Sequence, residues 1–368
     1  MSRSLSLLVK PTGAACNLKC EYCFYLERPE LHPAEGRTRM SDEVVEALIR
    51  NFMAIEQPVH AFCWQGGEPT LMGLPFFERV VELQRRYGRP GALVANSVQT
   101  NGVLIDDDLA AFFARYRFLV GCSIDGPAVV HDRHRLTAAG EPTHAAVLRG
   151  IERLDRAGVP VDALVVVTRA NVERPREIYE GLVSAGKLHH HYIPCLERDA
   201  AGEPQPYAVD GEAWGRFLGE IFSCWSARDV GRVSVRLFES TVAKLLTGHA
   251  ALCTQNTCCD EYLVVEYDGG VYPCDFYVRA DLRLGDVRHD SFDGLRRSAP
   301  YSAFGAEKSN LPTKCSGCVH LDLCGGDCPR NRSSGDGSSL LCDGWFAFFD
   351  ASRARFEELA DGVRDYTG

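Results

Sequence analysis

The chain has 368 residues, of which 45% are hydrophobic and 24% charged, with a net charge of −10. This is the composition of a globular protein with room for two domains, or for one large domain with an extension. The acidic balance argues against a non-specific nucleic-acid binder, and no run approaches the roughly 20 apolar residues that span a bilayer. The opening MSRSLSLLVKP has an apolar stretch too short for a secretory signal and no small-residue cleavage site, which places the protein in the cytoplasm.

In chain order, SLSLLVK, HAFCWQ, LVANSVQT, FLVGCSID, VDALVVV and HHHYIPCL read as short buried strands. Amphipathic stretches separate them. MSDEVVEALIRNFMAI carries a serine cap at Ser41, and GLPFFERVVELQRRYG, IDDDLAAFFARYR, HAAVLRGIERLDRAG and EIYEGLVSAG continue the series. Strand–helix alternation predicts an α/β fold with a parallel sheet and right-handed crossovers. Six such units predict a partial TIM-like (β/α)6 barrel, short of the eight that close the usual one. From about residue 205 the pattern changes. AWGRFLGEIFSCWSARD and RLFESTVAKLLTG read as helices, and YLVVEYDGGVYPCDFYV as a hairpin turning at Asp268-Gly269-Gly270. After residue 310 the chain is rich in Cys, Gly, Ser and Asp and needs a metal to fold it, before WFAFFDASRARFEELADGV closes it as a helix. The expected division is 1–235 for the barrel and 236–368 for a cysteine-rich extension.

The cysteines carry the chemistry. There are 16, and in a reducing compartment clustered cysteines bind metal. Cys16, Cys20 and Cys23 are spaced C-x3-C-x2-C just after the first strand, at the edge where barrel enzymes gather their active sites. Three thiolates on a [4Fe-4S] cluster leave one iron open to a small molecule. The alternative is a zinc site borrowing a distant ligand. Nine more cysteines follow between 253 and 342, while Cys63, Cys122, Cys195 and Cys224 lie in apolar segments and read as core.

CNLKCEYCFY after a first strand resembles the signature of radical S-adenosylmethionine (radical SAM) enzymes. The resemblance implies that Cys16, Cys20 and Cys23 hold a cluster whose open iron binds SAM. It implies further that SAM is cleaved to a 5'-deoxyadenosyl radical. Tyr22 would lie by the adenine. Gly66-Gly67-Glu68-Pro69 resembles the family's GGEP motif, with exposed backbone and a carboxylate for the SAM ammonium. Ser123 and Arg135 fall where the family binds the ribose and carboxylate of SAM, and Leu196 where a backbone contacts adenine.

The stretch C-x2-C-x5-C-x3-C from Cys315, with Cys342 beyond, resembles the SPASM extension, which carries two further iron–sulfur clusters. That resemblance gives the outer cluster Cys315, Cys318, Cys324 and Cys342, and the inner one Cys253, Cys259, Cys274 and Cys328. Cys258, next to Cys259, is the open alternative. Three [4Fe-4S] clusters and SAM are the implied cofactors.

LLVKPTGAACNLKCEYCFY, WQGGEPTL, QTNG, GCSIDGP, IPCLE and DGGVYPCDFYV narrow the resemblance to the anaerobic sulfatase-maturating enzymes. These oxidise a cysteine or serine within C/S-x-P/A-x-R of a sulfatase to Cα-formylglycine. Asp275 would be the base, with Tyr25 and Gln65 lining the substrate cavity. The implied partners are an unfolded or nascent sulfatase and an electron donor such as flavodoxin or ferredoxin, with no nucleic acid and no membrane. The competing readings are a SPASM maturase that crosslinks a ribosomal peptide, and a non-catalytic iron–sulfur carrier. The former often carries an extra N-terminal peptide-binding domain, which favours the sulfatase reading here. His189, His190 and His191 alternate along a strand, so they read as mixed core and rim.

Overall fold

The computed structural model describes residues 4–25, 38–199, 201–333 and 335–367; the first three residues of the opening segment lie outside it. All six expected strands form: β1 (Ser6–Lys10), β2 (Val59–Trp64), β3 (Leu93–Thr100), β4 (Leu119–Ser123), β5 (Val161–Val167) and β6 (His189–Pro194). Four short strands follow: β7 (Ser234–Val235), β8 (Tyr262–Glu266), β9 (Gly270–Tyr272) and β10 (Gly285–Asp286).

The chain packs as two compact units. The first gathers residues 1–123, 134–161 and 260–305; the second gathers 124–133, 162–259 and 306–368. Packing therefore does not follow the chain-order division at 235, because the hairpin segment 260–305 belongs with the first strands. The hairpin was expected, and β9 does run antiparallel to β8. Its parallel docking on β1 was not. In the first unit the strand order is β10-β9-β8-β1-β2-β3-β4, parallel from β8 to β4. In the second unit β5, β6 and β7 run parallel.

Alternation along β1 decides its faces. Leu5, Leu7 and Val9 are buried on one side, as period 2 requires. The helix Asp42–Met53 starts where its sequence signals it: the Ser41 hydroxyl accepts from the Val44 amide at 3.3 Å. In the second unit the C-terminal helix begins at Cys342 itself and runs to Thr367, longer than its apolar pattern suggested. The histidine triplet on β6 splits as its alternation predicts. His189 is exposed, His190 buried and His191 half-buried. Among the described residues no helix is long and apolar enough to cross a membrane.

Candidate active site and cluster cysteines

The first cysteine group hangs from the end of β1. A tight turn follows, in which Gly13 N donates to Lys10 O at 3.1 Å and Ala15 N to Thr12 O at 3.0 Å. The GGEP segment after β2 grips this turn, with Gly67 N to Gly13 O at 2.7 Å and Glu68 N to Ala15 O at 2.9 Å. Gly66 has φ +129°, and a Cβ on Gly67 would stand 2.1 Å from Ala15 O. Only glycine fits. This close approach of backbone to backbone fixes the loop that delivers Cys16.

Glu68 lies at the same corner. Its side chain is fully buried and engaged within the protein. Oε1 accepts from Thr70 N (3.0 Å), Thr70 Oγ1 (2.6 Å) and Thr100 Oγ1 (2.7 Å), and Oε2 from Asn101 N (2.7 Å). Burial pushes its pKa up, and these hydrogen bonds oppose that. The carboxylate ties the end of β2 to the end of β3.

The three thiols share one neighbourhood. Cys16 receives the Leu18 amide at 3.3 Å and the Asn101 side-chain amide at 3.7 Å. Desolvation of the sulfur pushes this thiol up to about 12 and the Leu18 amide opposes it, with Glu68, Cys20 and Cys23 adding smaller upward pushes, while the residue as a whole is exposed. The segment carrying Cys20 is strapped to residues 134–137 by Lys19 N to Leu136 O (2.8 Å) and Glu21 N to His134 O (3.0 Å). Arg135 is buried, lies over the Tyr22 ring (5.4 Å) and brings Nη1 to 4.0 Å from Cys20 Sγ. Thiols that raise one another's pKa need a cationic centre to ionise them, and N–H donors aimed at sulfur suit metal-bound thiolate. Three thiols carried by one short segment, two of them met by N–H donors from Leu18, Asn101 and Arg135, are a donor set that fits an iron–sulfur cluster. Ser123 ends β4, half-buried.

Beside this group, in the same unit, the hairpin presents Cys274 and Asp275. Gln65, which follows β2, donates from Nε2 to Asp275 Oδ2 at 3.3 Å. Tyr25 packs with Val264, Tyr272 and Val278 of the hairpin, with Cys23 and Phe24 against the same cluster. Tyr262 Oη lies 3.4 Å from Cys274 Sγ. Tyr25, Gln65 and Asp275, distant in sequence, thus come together. Sequence reasoning missed Lys10 and Glu266, buried and paired at 3.7 Å next to Asp275. Two charges ending apolar strands were the available signal. It also missed Asn101, quoted within QTNG but given no role, which bonds both Glu68 and Cys16.

The second unit holds the other cysteines. Gly325 (φ +66°), Gly326 (φ +77°) and Asp327 (φ +56°) form a left-handed run between Cys324 and Cys328. Asp327 pins it by accepting from Ser339 Oγ (2.6 Å) and Asn331 Nδ2 (3.0 Å). Buried Lys308 donates to Cys253 O (2.5 Å) and Thr254 O (2.9 Å). Burial pushes the Cys328 thiol up to about 12, with Asp327 and then Cys253 and Cys259 acting the same way. Burial does likewise for Cys324, also to about 12, with Asp327 and Cys342 adding. Cys342 is raised by burial and by Cys315 and Cys318. So Cys315, Cys318, Cys324 and Cys342 influence one another, as do Cys253, Cys259 and Cys328. Leu196 lies beyond β6, buried, next to Glu197, whose carboxylate pairs with Arg330 at 2.5 Å.

A parallel α/β core with three clustered thiols after its first strand, followed by a cysteine-rich extension, defines a radical SAM enzyme with a SPASM domain. Residues 11–182 match the radical SAM superfamily and residues 253–319 an iron–sulfur cluster-binding domain. The chain is 35% identical to the serine-type anaerobic sulfatase-maturating enzyme of Bacteroides thetaiotaomicron, over 95% of this chain and 89% of that one. It is 33% identical to the cysteine-type enzyme of Clostridium perfringens, over 98% and 99%. The solved structure of native anSMEcpe with bound AdoMet superposes with a TM-score of 0.90 at 32% identity, covering 97% of this chain and 99% of that one. The same protein with bound AdoMet and the Kp18Cys peptide gives the same TM-score, 0.90. The chain belongs to the family of anaerobic sulfatase-maturating enzymes.

Proposed function

We infer that this chain oxidises a cysteine or serine in a sulfatase segment C/S-x-P/A-x-R to Cα-formylglycine, with Asp275 as the base. The observation that carries the reading is the Gln65–Asp275 hydrogen bond of 3.3 Å immediately beside Cys274. It supports a carboxylate held between a substrate cavity and a cluster ligand.

Cys16, Cys20 and Cys23 would hold the SAM-cleaving cluster, Cys315, Cys318, Cys324 and Cys342 the outer auxiliary cluster, and Cys253, Cys259, Cys274 and Cys328 the inner one. When bound, these groups supply the deoxyadenosyl radical that takes hydrogen from the substrate Cβ and the acceptor for the electron left behind. Asp275 takes the thiol or hydroxyl proton, for which it must lie within about 2.6 to 3.2 Å of that group in the productive pose. Gln65 orients the carboxylate, and Tyr25 closes the cavity wall. With a cysteine substrate, loss of one hydrogen atom, one proton and one electron leaves a thioaldehyde; water then releases sulfide and leaves the aldehyde. Tyr22, Ser123, Arg135, Leu196 and the backbone of Gly66, Gly67 and Glu68 would bind SAM. Arg135 supports this best, since its guanidinium already faces Cys20.

The partners are an unfolded sulfatase and a cytoplasmic one-electron donor of the flavodoxin or ferredoxin kind. Relatives of the serine and cysteine types match at nearly equal identity, 35% and 33%, so either residue is a candidate substrate.

The test is anaerobic reconstitution, reduction, and addition of SAM with a C-x-P-x-R peptide. A mass loss of about 18 Da for cysteine, or about 2 Da for serine, with 5'-deoxyadenosine alongside, is the expected result, and Asp275→Asn should cut it by about 100-fold or more. Deoxyadenosine with an unchanged peptide would sink the substrate assignment.

A further inference from the structure

Lys10 ends β1 with its side chain fully buried, and Glu266 ends β8 directly opposite it, 4% exposed. Their charged ends are 3.7 Å apart. Burying an ion pair costs desolvation that its attraction recovers poorly, and apolar residues of similar size serve folding as well or better. Packing alone therefore gives no reason for the pair.

Its surroundings do. The Lys10 ammonium lies 3.5 Å from the Asp275 main-chain carbonyl, and 4.7 Å and 5.7 Å from the centroids of the Tyr25 and Phe24 rings. Those rings stack at 4.2 Å, and Phe24 meets Phe276 at 5.1 Å. One buried cation thus touches both the segment after the first cysteine group and the corner that carries Asp275. Glu266 Oε1 takes no hydrogen bond among the described residues, so the ion pair is what compensates it.

We propose that Lys10, paired with Glu266 in the interior, is a positioning residue for formylglycine formation: it fixes the Asp275 corner and the Tyr25 ring relative to each other, so that each hydrogen abstraction is carried through to product. The proposal rests on the reading of Asp275 as the base. Lys10 exchanges no proton or electron with the substrate; it acts through the groups it holds. A misplacement on the ångström scale suffices to uncouple such a step.

The experiment compares reconstituted holoenzymes on the C-x-P-x-R peptide and measures deoxyadenosine formed per formylglycine, with iron content as control. Lys10→Met keeps the length and removes the charge; the ratio should rise by about tenfold or more, and Lys10→Arg should restore most of the coupling. Because Lys10→Met strands Glu266 in the interior, the decisive protein is the double variant Lys10→Met/Glu266→Leu, whose apolar pair folds without an orphan charge. Normal iron with a raised ratio is the expected result. A wild-type ratio in the double variant overturns the inference, because the pair would then be structural only. Asp275→Asn, run alongside, separates the two failures. Wild-type coupling in Asp275→Asn overturns the base assignment and this inference with it. An uncoupled Asp275→Asn beside a normally coupled double variant overturns this inference alone.

Discussion

The two cysteine regions are built by opposite means. Cys16, Cys20 and Cys23 hang from a parallel strand. Their loop is gripped by backbone hydrogen bonds from GGEP and braced through Glu68 to the end of β3. Cys315 to Cys328 lie among the one-turn helices Thr313–Ser316 and Leu321–Cys324 and a left-handed run, held by short-range turn hydrogen bonds and by side chains that reach backbone. Arg332, for example, donates to Lys308 O at 2.7 Å and Asn310 O at 2.9 Å. Sheet hydrogen bonding repeats residue by residue and does not need a metal. Short turns over irregular chain bury little apolar surface to offset the conformational entropy, which is where metal binding would supply folding free energy. The contrast predicts a first site shaped before loading and a second shaped by it.

Chelation should expose the contrast most strongly. Iron removal should open protease sites between residues 306 and 341 while amide protection in β1 to β4 persists; equal loss in both regions would break the comparison. Cys16→Ala, by contrast, should abolish deoxyadenosine formation while leaving circular dichroism unchanged.

Gly67→Ala attacks the preshaped loop itself. The new Cβ would lie 2.1 Å from Ala15 O, a backbone atom that cannot swing aside. A stability loss of about 3 kcal/mol is expected in denaturant unfolding, with loss of the first cluster's iron.

Acid should weaken the second unit through its β6 histidines. Burial lowers His190 to about 4 and His191 to about 3 from the ordinary 6.5. The unfolded chain takes up protons below about pH 6.5 that the folded chain refuses, so stability falls from there until the folded values are reached. At about pH 5 the loss from buried His190 is roughly 2 kcal/mol, with half-buried His191 adding less, read as a shift in urea midpoint, and His190→Gln should flatten it. A pH-independent midpoint would count against buried neutral imidazoles.

The smallest effect separates neighbours. Cys258→Ser should leave iron content intact and change stability by about 0.5 kcal/mol or less, while Cys259→Ser should cost the inner cluster. The reverse outcome would exchange the two assignments.

Much of the molecule is legible in one dimension. Strand and helix periods, the Ser41 cap, the Asp268-Gly269-Gly270 turn and the cysteine spacings are local, and each follows from side-chain alternation, capping or ligand geometry over a few residues. Motif resemblance then reached the family. The partners of Glu68 were not legible, because Thr100 and Asn101 come from a strand end more than thirty residues away. Lys10 and Glu266 were passed over because each is one charge at the end of an apolar strand.

By itself the sequence determined the elements, the thiol groups and the kind of chemistry they serve. Only the tertiary structure decided that β8 lies parallel to β1, which sets Glu266 against Lys10 and places Asp275 beside Gln65. The reason is physical. Local periodicity fixes which face of a strand is apolar, but its neighbour is chosen by packing and hydrogen bonding between segments some 250 residues apart, and no local pattern records that choice.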